Sequence, residues 1–411
     1  MYLTLSKRFE FCASRRLYLR DRNEGQNLAA YGPMASPPHG VGDNFEVHFV
    51  FHGPVDENTG MMVAFADIKQ RLGSIIGEKY DHKFLNIDNP DFVIQPPTVE
   101  LLAKALLTDA QRAFADHPAQ PVACHLVEDP DSSATAFADG TVERHIWLSF
   151  SAARRTYSPR LSDLENKRLF GPAANPAGHG HNYRLRVTMT GEPHPAYGTI
   201  VPYKQLIKVP PIIRKRLDHR HINKEVPELK KQPVTSETIS QYIYERLRKV
   251  LPITRLKLYE LPWFFVEYFG DNRGMVGVRA SFRAAHRLHS HKLSEEQNRE
   301  VYGKCNNLNG HGHRYDVEAS ISGTIDERTG IIFDLVAIQE GIEEALAAYD
   351  YKHLDLEADD FVDRPSTGEN IVTALWPRMD AGLRNRLVRL RLWETPNNRF
   401  TLRKEAPADK E

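Results

Sequence analysis

The chain has 411 residues, 41% of them apolar and 26% charged, and its 54 basic and 54 acidic side chains cancel to a formal net charge of zero. That length allows roughly two to four domains with sizeable cores, and the balanced charge gives no reason to expect nucleic acid or an anionic membrane as a partner. Three scattered cysteines, Cys12, Cys124 and Cys305, imply no disulfide framework and fit a reducing, cytoplasmic setting. The first ten residues are interrupted by charge too early for a signal-peptide core, and no apolar run approaches the roughly 20 residues of a membrane span.

Taken in order, the sequence repeats itself. An Asp-led motif recurs as Asp81-His82-Lys83, Asp218-His219-Arg220 and Asp350-Tyr351-Lys352. A helix-opening acid recurs at Glu100, Glu237 and Glu369, each preceded by a boundary proline at Pro96, Pro233 and Pro365, and a terminal acid recurs at Glu128, Glu260 and Glu394. The steps between equivalents stay at about 132 to 138 residues, a register that chance does not keep. The spacing predicts three tandem homologous units, 1–140, 141–270 and 271–403, and a charged tail, 404–411, expected to be disordered. No long Gly/Ser-rich or Pro-rich linker separates the units.

Within the third unit, Val317 to Ser322 alternates as a half-buried strand does, and Asp326 to Gly330 is the turn that returns it. Asp334 has the character of an N-cap. Leu335, Ile338, Ile342, Leu346 and Tyr349 then fall at three- and four-residue steps, one face of a helix. A second helix is expected to open at Ser366-Thr367-Gly368-Glu369, with capping-box spacing, and to run to Pro377. Val388 to Leu392 is the last strand. Each unit therefore reads as strand, strand, helix, helix and a strand-rich end, an α+β pattern whose exposed sheet edges copies of the unit can pair. Cys12 and Cys124 fall outside every motif and are expected in the core or at its boundary.

The most informative run is Cys305 to His313, C-N-N-L-N-G-H-G-H. On a strand, His311 and His313 face the same side and offer two corners of a zinc tetrahedron. His286 is the best candidate for a third, because an antiparallel partner strand would bring it opposite the pair. Three protein ligands with one open corner is the catalytic arrangement of zinc. Histidines at i,i+2 are usually plain strand surface; Cys305, six residues upstream, is what favours a metal with a nucleophile beside it.

This run, with His286 before it, Ser366 to Asn370 after it and Trp393-Glu394-Thr395 near the end, closely resembles the 6-pyruvoyl tetrahydropterin synthase family. Its six-residue Cys-to-His step resembles the biopterin-pathway members more than the relatives that make 6-carboxytetrahydropterin. The resemblance implies that the three units close into one twelve-stranded antiparallel barrel with helices outside, the tunnelling fold. It implies 7,8-dihydroneopterin triphosphate as substrate, 6-pyruvoyl-tetrahydropterin and triphosphate as products, zinc (Zn2+) as cofactor, magnesium (Mg2+) accompanying the triphosphate, and a homodimer of stacked rings. Glu394 is the implied anchor of the pterin ring, with Glu369 and Thr367 as further contacts; Arg283, Arg287, Lys292 and Lys304 are candidates for the triphosphate.

The copies have diverged. The positions of His286, Cys305, His311 and His313 are Arg154, Ala173, His179 and His181 in the second unit. In the first they are Arg15, a place near Met34, Val41 and Asp43. Arginine stays protonated and cannot ligate zinc, so one zinc site per chain is expected. The family's Asp-His pair, which by resemblance activates the cysteine from a neighbouring subunit, survives as Asp81-His82 and Asp218-His219 and is broken as Asp350-Tyr351. The expected site therefore joins zinc and Cys305 of unit three to a pair from another unit, with His353 of unit three as the alternative base. Zinc would polarise substrate side-chain oxygens while a Cys305 thiolate, its pKa lowered by an imidazolium, takes a proton. Two other readings fit: 6-carboxytetrahydropterin synthase, and a non-catalytic pterin-binding or scaffold protein suggested by the two decayed units. Glu128 and Glu260 leave open either pterin binding at the other two interfaces or a pairing of each acid with a nearby cation.

Overall fold

The computed structural model describes residues 1–405, so most of the tail expected to be disordered lies outside the described residues. Twelve long strands carry the fold. Unit one contributes β1 (Tyr2–Arg15), β2 (Val41–His52), β3 (Gln120–Asp129) and β4 (Ser132–Phe137). Unit two contributes β5 (Val142–Arg154), β6 (His179–Gly191), β7 (Ile253–Leu261) and β8 (Phe264–Gly270). Unit three contributes β9 (Arg273–His286), β10 (His311–Thr324), β11 (Leu387–Thr395) and β12 (Asn398–Arg403). All neighbours among these twelve pair antiparallel, and β8 pairs with β9 as β12 pairs with β1, so the sheet closes on itself. Closure leaves no strand edge free.

Side-chain alternation explains which face goes where. On β11, Leu390 and Leu392 are fully buried beneath the helix Gly368–Gly382, while Arg389 and Arg391, which alternate with them, turn to the opposite face, the barrel lumen. Each leucine so removed from water contributes about 1.5–3 kcal/mol. Each unit lays helices over its four strands: Phe65–Lys79 with Val99–Ala113, Val209–Leu217 with Ser236–Leu247, and Leu335–Leu346 with Gly368–Gly382. Their inward residues, such as Ile68, Leu72 and Ile76, join one continuous apolar core.

Two of the three seams are hairpins. The chain turns at Gly140 between β4 and β5, and at Asp271-Asn272 between β8 and β9. The third, β1 against β12, joins the two ends of the chain without a covalent link, with Tyr2 opposite Arg403 and Lys7 opposite Asn398.

Several local expectations change. The helix expected to stop at Pro377 continues to Gly382, because Met379 and Leu383 are fully buried and their packing offsets one missing backbone hydrogen bond. Asp334 does cap its helix, accepting from the Val336 amide. At the next helix Thr367 is the N-cap and accepts from Asn370, but Glu369 does not fold back to complete a box; it reaches into the seam. Between the first two strands of each unit lies a short helix the periodicity had not indicated: Glu24–Tyr31, Asp163–Phe170 and Glu295–Tyr302. Cys124 is buried, whereas Cys12 is exposed on β1. No described helix is long and apolar enough to cross a membrane.

Candidate metal centre and active site

Strand register places equivalent residues at equivalent points three times over. Arg15 stands opposite Val41, Arg154 opposite His179 and His286 opposite His311. A loop amide reaches the next motif in the same way each time: Leu17 to the Met34 carbonyl, Thr156 to that of Ala173, Leu288 to that of Cys305. The residue at the end of the first strand also finds the same carbonyl in each unit. Arg15 Nη1 donates to Pro97 at 2.8 Å and Arg154 Nη1 to Val234 at 3.0 Å, while His286 Nδ1 faces the Ser366 oxygen at 3.1 Å.

That last contact sets the chemistry of unit three. A carbonyl at Nδ1 requires a proton there and leaves the His286 Nε2 lone pair free. His286 Nε2 and His311 Nε2 face each other at 3.1 Å, and with His313 the three ligating atoms all lie within 4.8 Å. Burial pushes all three imidazoles down, His286 to about 3, so each is neutral at pH 7. Two lone pairs facing at this distance repel unless a proton or a cation sits between them, and 3.1 Å is near the roughly 3.3 Å edge of a tetrahedron with 2.0–2.1 Å metal–nitrogen bonds. His311 Nδ1 is buried without a partner. The donor set fits a divalent metal ion.

Around the trio are the remaining expected groups. Glu394 lies 4.0 Å from His286 and 3.9 Å from His313, and Asn398, held by Lys7 of unit one, donates to it at 3.1 Å. Burial raises its carboxyl, and raises that of fully enclosed Glu369 to about 7. Glu369 accepts from the Met62 amide of unit one, and the Thr367 hydroxyl donates to the Gly60 carbonyl at 2.6 Å. Tyr302 reaches the Thr59 carbonyl in the same loop. The site is therefore built across the seam between units three and one. These unit-one partners escaped the sequence reading, although a Thr-Gly pair at 59–60 and again at 329–330 is visible in it. Cys305 is half-buried, and burial with the charge of Glu394 raises its thiol.

The Asp-His pairs are each held within their own unit. The Cys12 amide donates to Asp81 and the Ser151 amide to Asp218, as the Arg283 amide does to Asp350. His82, His219 and Tyr351 follow in the same left-handed conformation, with φ of 54°, 56° and 59°. His219 lines a groove with His181 of its own unit, just as Tyr351 and His353 line one of about 570 Å³ with His313. Cys12 is about 17 Å along β1 from Lys7, and no hydrogen bond joins either pair to Cys305 among the described residues. His353 is closer to the metal strand: a methyl on Gly310 would stand 2.8 Å from its Nε2, and Asp355 lies 3.9 Å from its Nδ1. Of the triphosphate candidates, Arg283 flanks that groove, Arg287 turns to Asn306 and Lys292 to the Glu57 carbonyl.

Units one and two fill the equivalent space with ion pairs. Arg15 is wholly buried against Glu128 and Asp43, and Arg154 against Glu260. Burial alone would raise Glu128, but Arg15 and Arg144 outweigh it and hold the carboxyl at about 2. Glu260 is likewise drawn below the usual carboxylate range by Arg154 and by His181, 2.9 Å away. His179, His181 and Glu260 could also hold an ion by distance alone, but the Arg154 guanidinium already supplies the positive charge there.

The family described as 6-pyruvoyl tetrahydropterin synthase matches the chain three times, over residues 4–139, 145–271 and 275–405. A 6-pyruvoyl tetrahydrobiopterin synthase of Drosophila melanogaster is 40% identical over 132 residues, 31% of this chain and 79% of that protein. One of Poecilia reticulata is 44% identical over 134 residues, 32% of this chain and 91% of that protein. The solved Caenorhabditis elegans 6-pyruvoyl tetrahydropterin synthase aligns at 34% identity, covering 34% of this chain and 100% of that one, with a TM-score of 0.32. The chain belongs to the 6-pyruvoyl tetrahydropterin synthase family, a lyase-type enzyme built as three tandem copies closed into a single ring.

Proposed function

We propose that the chain is a zinc-dependent synthase converting 7,8-dihydroneopterin triphosphate to 6-pyruvoyl-tetrahydropterin and triphosphate, at one site per chain on the seam between units three and one. The observation that carries this reading is that three neutral imidazoles, Cys305 and the acids Glu369 and Glu394 occur together once, while the two sister positions hold a buried arginine. Zinc bound by His286, His311 and His313 would act as a Lewis acid on the side-chain oxygens and would draw the Cys305 thiol toward its thiolate.

The chain's own groups do the rest. Glu394 and Glu369 accept the paired N–H donors of the aminopyrimidinone ring, Glu369 in its ionised form. Thr367 spends its hydroxyl on Gly60 and so holds the seam closed behind the ring. His353 relays the proton for Cys305 in place of the pairs at 81–82 and 218–219.

Incubation of the zinc-loaded chain with the triphosphate, followed by mass analysis, should give the pyruvoyl product; a carboxy product or no turnover would reject the reading. Cys305→Ala should keep zinc and lose turnover by at least about 100-fold. His353→Ala should lose it comparably, with His82→Ala and His219→Ala near the parent rate; the reverse pattern would restore the base to a neighbouring unit.

A further inference from the structure

Unit two departs from its sisters where it meets unit one. The helix that follows the seam loop runs unbroken in units one and three, as Phe65–Lys79 and Leu335–Leu346, but Pro210 and Pro211 break it in unit two. A proline has no N–H and its ring crowds the preceding turn, so the first turn, Tyr203–Leu206, separates from Val209–Leu217. The detached turn packs on the unit-one helix Glu24–Tyr31 and the residue after it: a methyl on Gly32 would stand 2.6 Å from the Tyr203 ring. Between this turn and the barrel wall lies a cavity of about 490 Å³, within the size range of small-molecule sites. The rings of Tyr31, Trp147 and Tyr203 line it together with Leu206 and Ile207, and Tyr203 and Ile207 remain 37% and 50% exposed. The chain itself supplies no cover for these apolar side chains.

The polar side of the cavity decides what fits. Its two arginines are spent: Arg15 donates to the Pro97 carbonyl and pairs with Asp43 and Glu128, while Arg144 lies 3.2 Å from Glu128 and donates to the Ser133 and His145 carbonyls. Arg144 is peculiar to this seam, since the residue ten places before the end of the first strand is Leu5 in unit one and Val276 in unit three. Glu128, which matches Glu394, is saturated by both arginines and by Ser132. Glu100 is not. It is 2% exposed, accepts from the Ile200 amide at 3.3 Å and stands 3.8 Å from the Arg144 Nε, beyond hydrogen-bond reach. No side chain donates a hydrogen bond to it among the described residues. Asp129 and Asp131 also line the cavity, so with Asp43, Glu100 and Glu128 the acids outnumber the arginines. That balance disfavours a phosphorylated ligand and suits one that brings N–H donors.

We propose that this cavity is a second ligand site, free of metal, that takes a flat, unphosphorylated nitrogen heterocycle of the aminopyrimidinone class, held on Glu100 by paired N–H donors. A carboxylate offers two acceptors side by side, and aromatic walls suit a flat ring. The site needs neither a metal nor Cys305, so it stands apart from the reaction proposed for the seam between units three and one.

The test is equilibrium dialysis of the full zinc-loaded chain against unsubstituted pterin, 2-amino-4-oxopteridine, for the parent, Glu100→Gln and Glu394→Gln. Glu100→Gln should lose one bound pterin per chain through a weakening of at least about tenfold. Glu394→Gln should keep the Glu100-dependent pterin whether or not the other seam binds one, so failure here and failure of the synthase reading are told apart. Excess 7,8-dihydroneopterin triphosphate should not displace that pterin from Glu394→Gln. Equal binding by the parent and Glu100→Gln, or displacement by the triphosphate, would overturn the proposal. Soaking pterin into crystals of the unaltered chain does not depend on a variant folding. Density against Glu100 in this cavity supports the site, and density confined to the other seams overturns it.

Discussion

One residue position, filled by Arg15, Arg154 and His286, decides what each unit can do. The side chain at that position ends a first strand and hydrogen-bonds one carbonyl; a guanidinium then completes an ion pair, whereas an imidazole leaves a lone pair for a metal. Arg154→Met should leave Glu260 buried without its partner and cost about 3–5 kcal/mol in denaturant unfolding. Arg154→His should instead complete a second ligand set with His179 and His181 and raise bound zinc from one per chain to two by elemental analysis. Glu237, in the seam between units two and three, is pushed up to about 7 by burial. Its folded form therefore holds a proton that the unfolded chain releases near pH 4.5, and stability falls as pH rises from there through 7. Glu237→Gln should remove its share of that slope, on the order of 3 kcal/mol between pH 5 and 8 as read from Tm against pH, and leave the share of Glu369. The sequence disclosed that arginine forbids zinc. It allowed that Glu128 and Glu260 pair with a cation but did not disclose that the same arginines supply it, since that pairing joins residues more than a hundred positions apart.

Elements were legible where their pattern was local. The strand Val317 to Ser322 forms as its alternation predicts, although its second face is enclosed as well, with Glu318 and Ser320 buried, and the helical spacing from Leu335 onward holds. The short helices were legible in principle: Asn23 with Gln26, Ser162 with Glu165 and Ser294 with Gln297 are complete capping boxes. They carry few apolar residues, so periodicity passed over them. Pro377 misled because proline is weighed by its local penalty, while Met379 and Leu383 beyond it are committed to the core. At the uncovalent seam, Gly368 opens the helix that carries Glu369, and a methyl there would stand 2.0 Å from the Phe400 ring on β12. Gly368→Ala should therefore shift the first turn of that helix, raise KM for the pterin by about tenfold and lower Tm. Phe400→Ala should cost about 3–5 kcal/mol through the cavity it leaves.

At the scale of the molecule, the repeat spacing is what made the ring predictable: three units with free edges close only by pairing with one another, and the register of β4 with β5, β8 with β9 and β12 with β1 does so. Which seam carries the chemistry was not legible, because it depends on a loop, residues 57–62, that meets Glu369 and Thr367 only after closure. The cavity between units one and two was hidden for the same reason, its walls coming from segments far apart in the chain. Fusion into one polypeptide lets the three sites differ, and the structure uses that freedom to keep one metal-ligand set and convert the others into ion pairs. Zinc content of the purified full chain, measured beside His286→Ala, tests this most directly. One zinc per chain, lost in the variant, is the predicted result; two or three per chain, or one that survives the substitution, would contradict it.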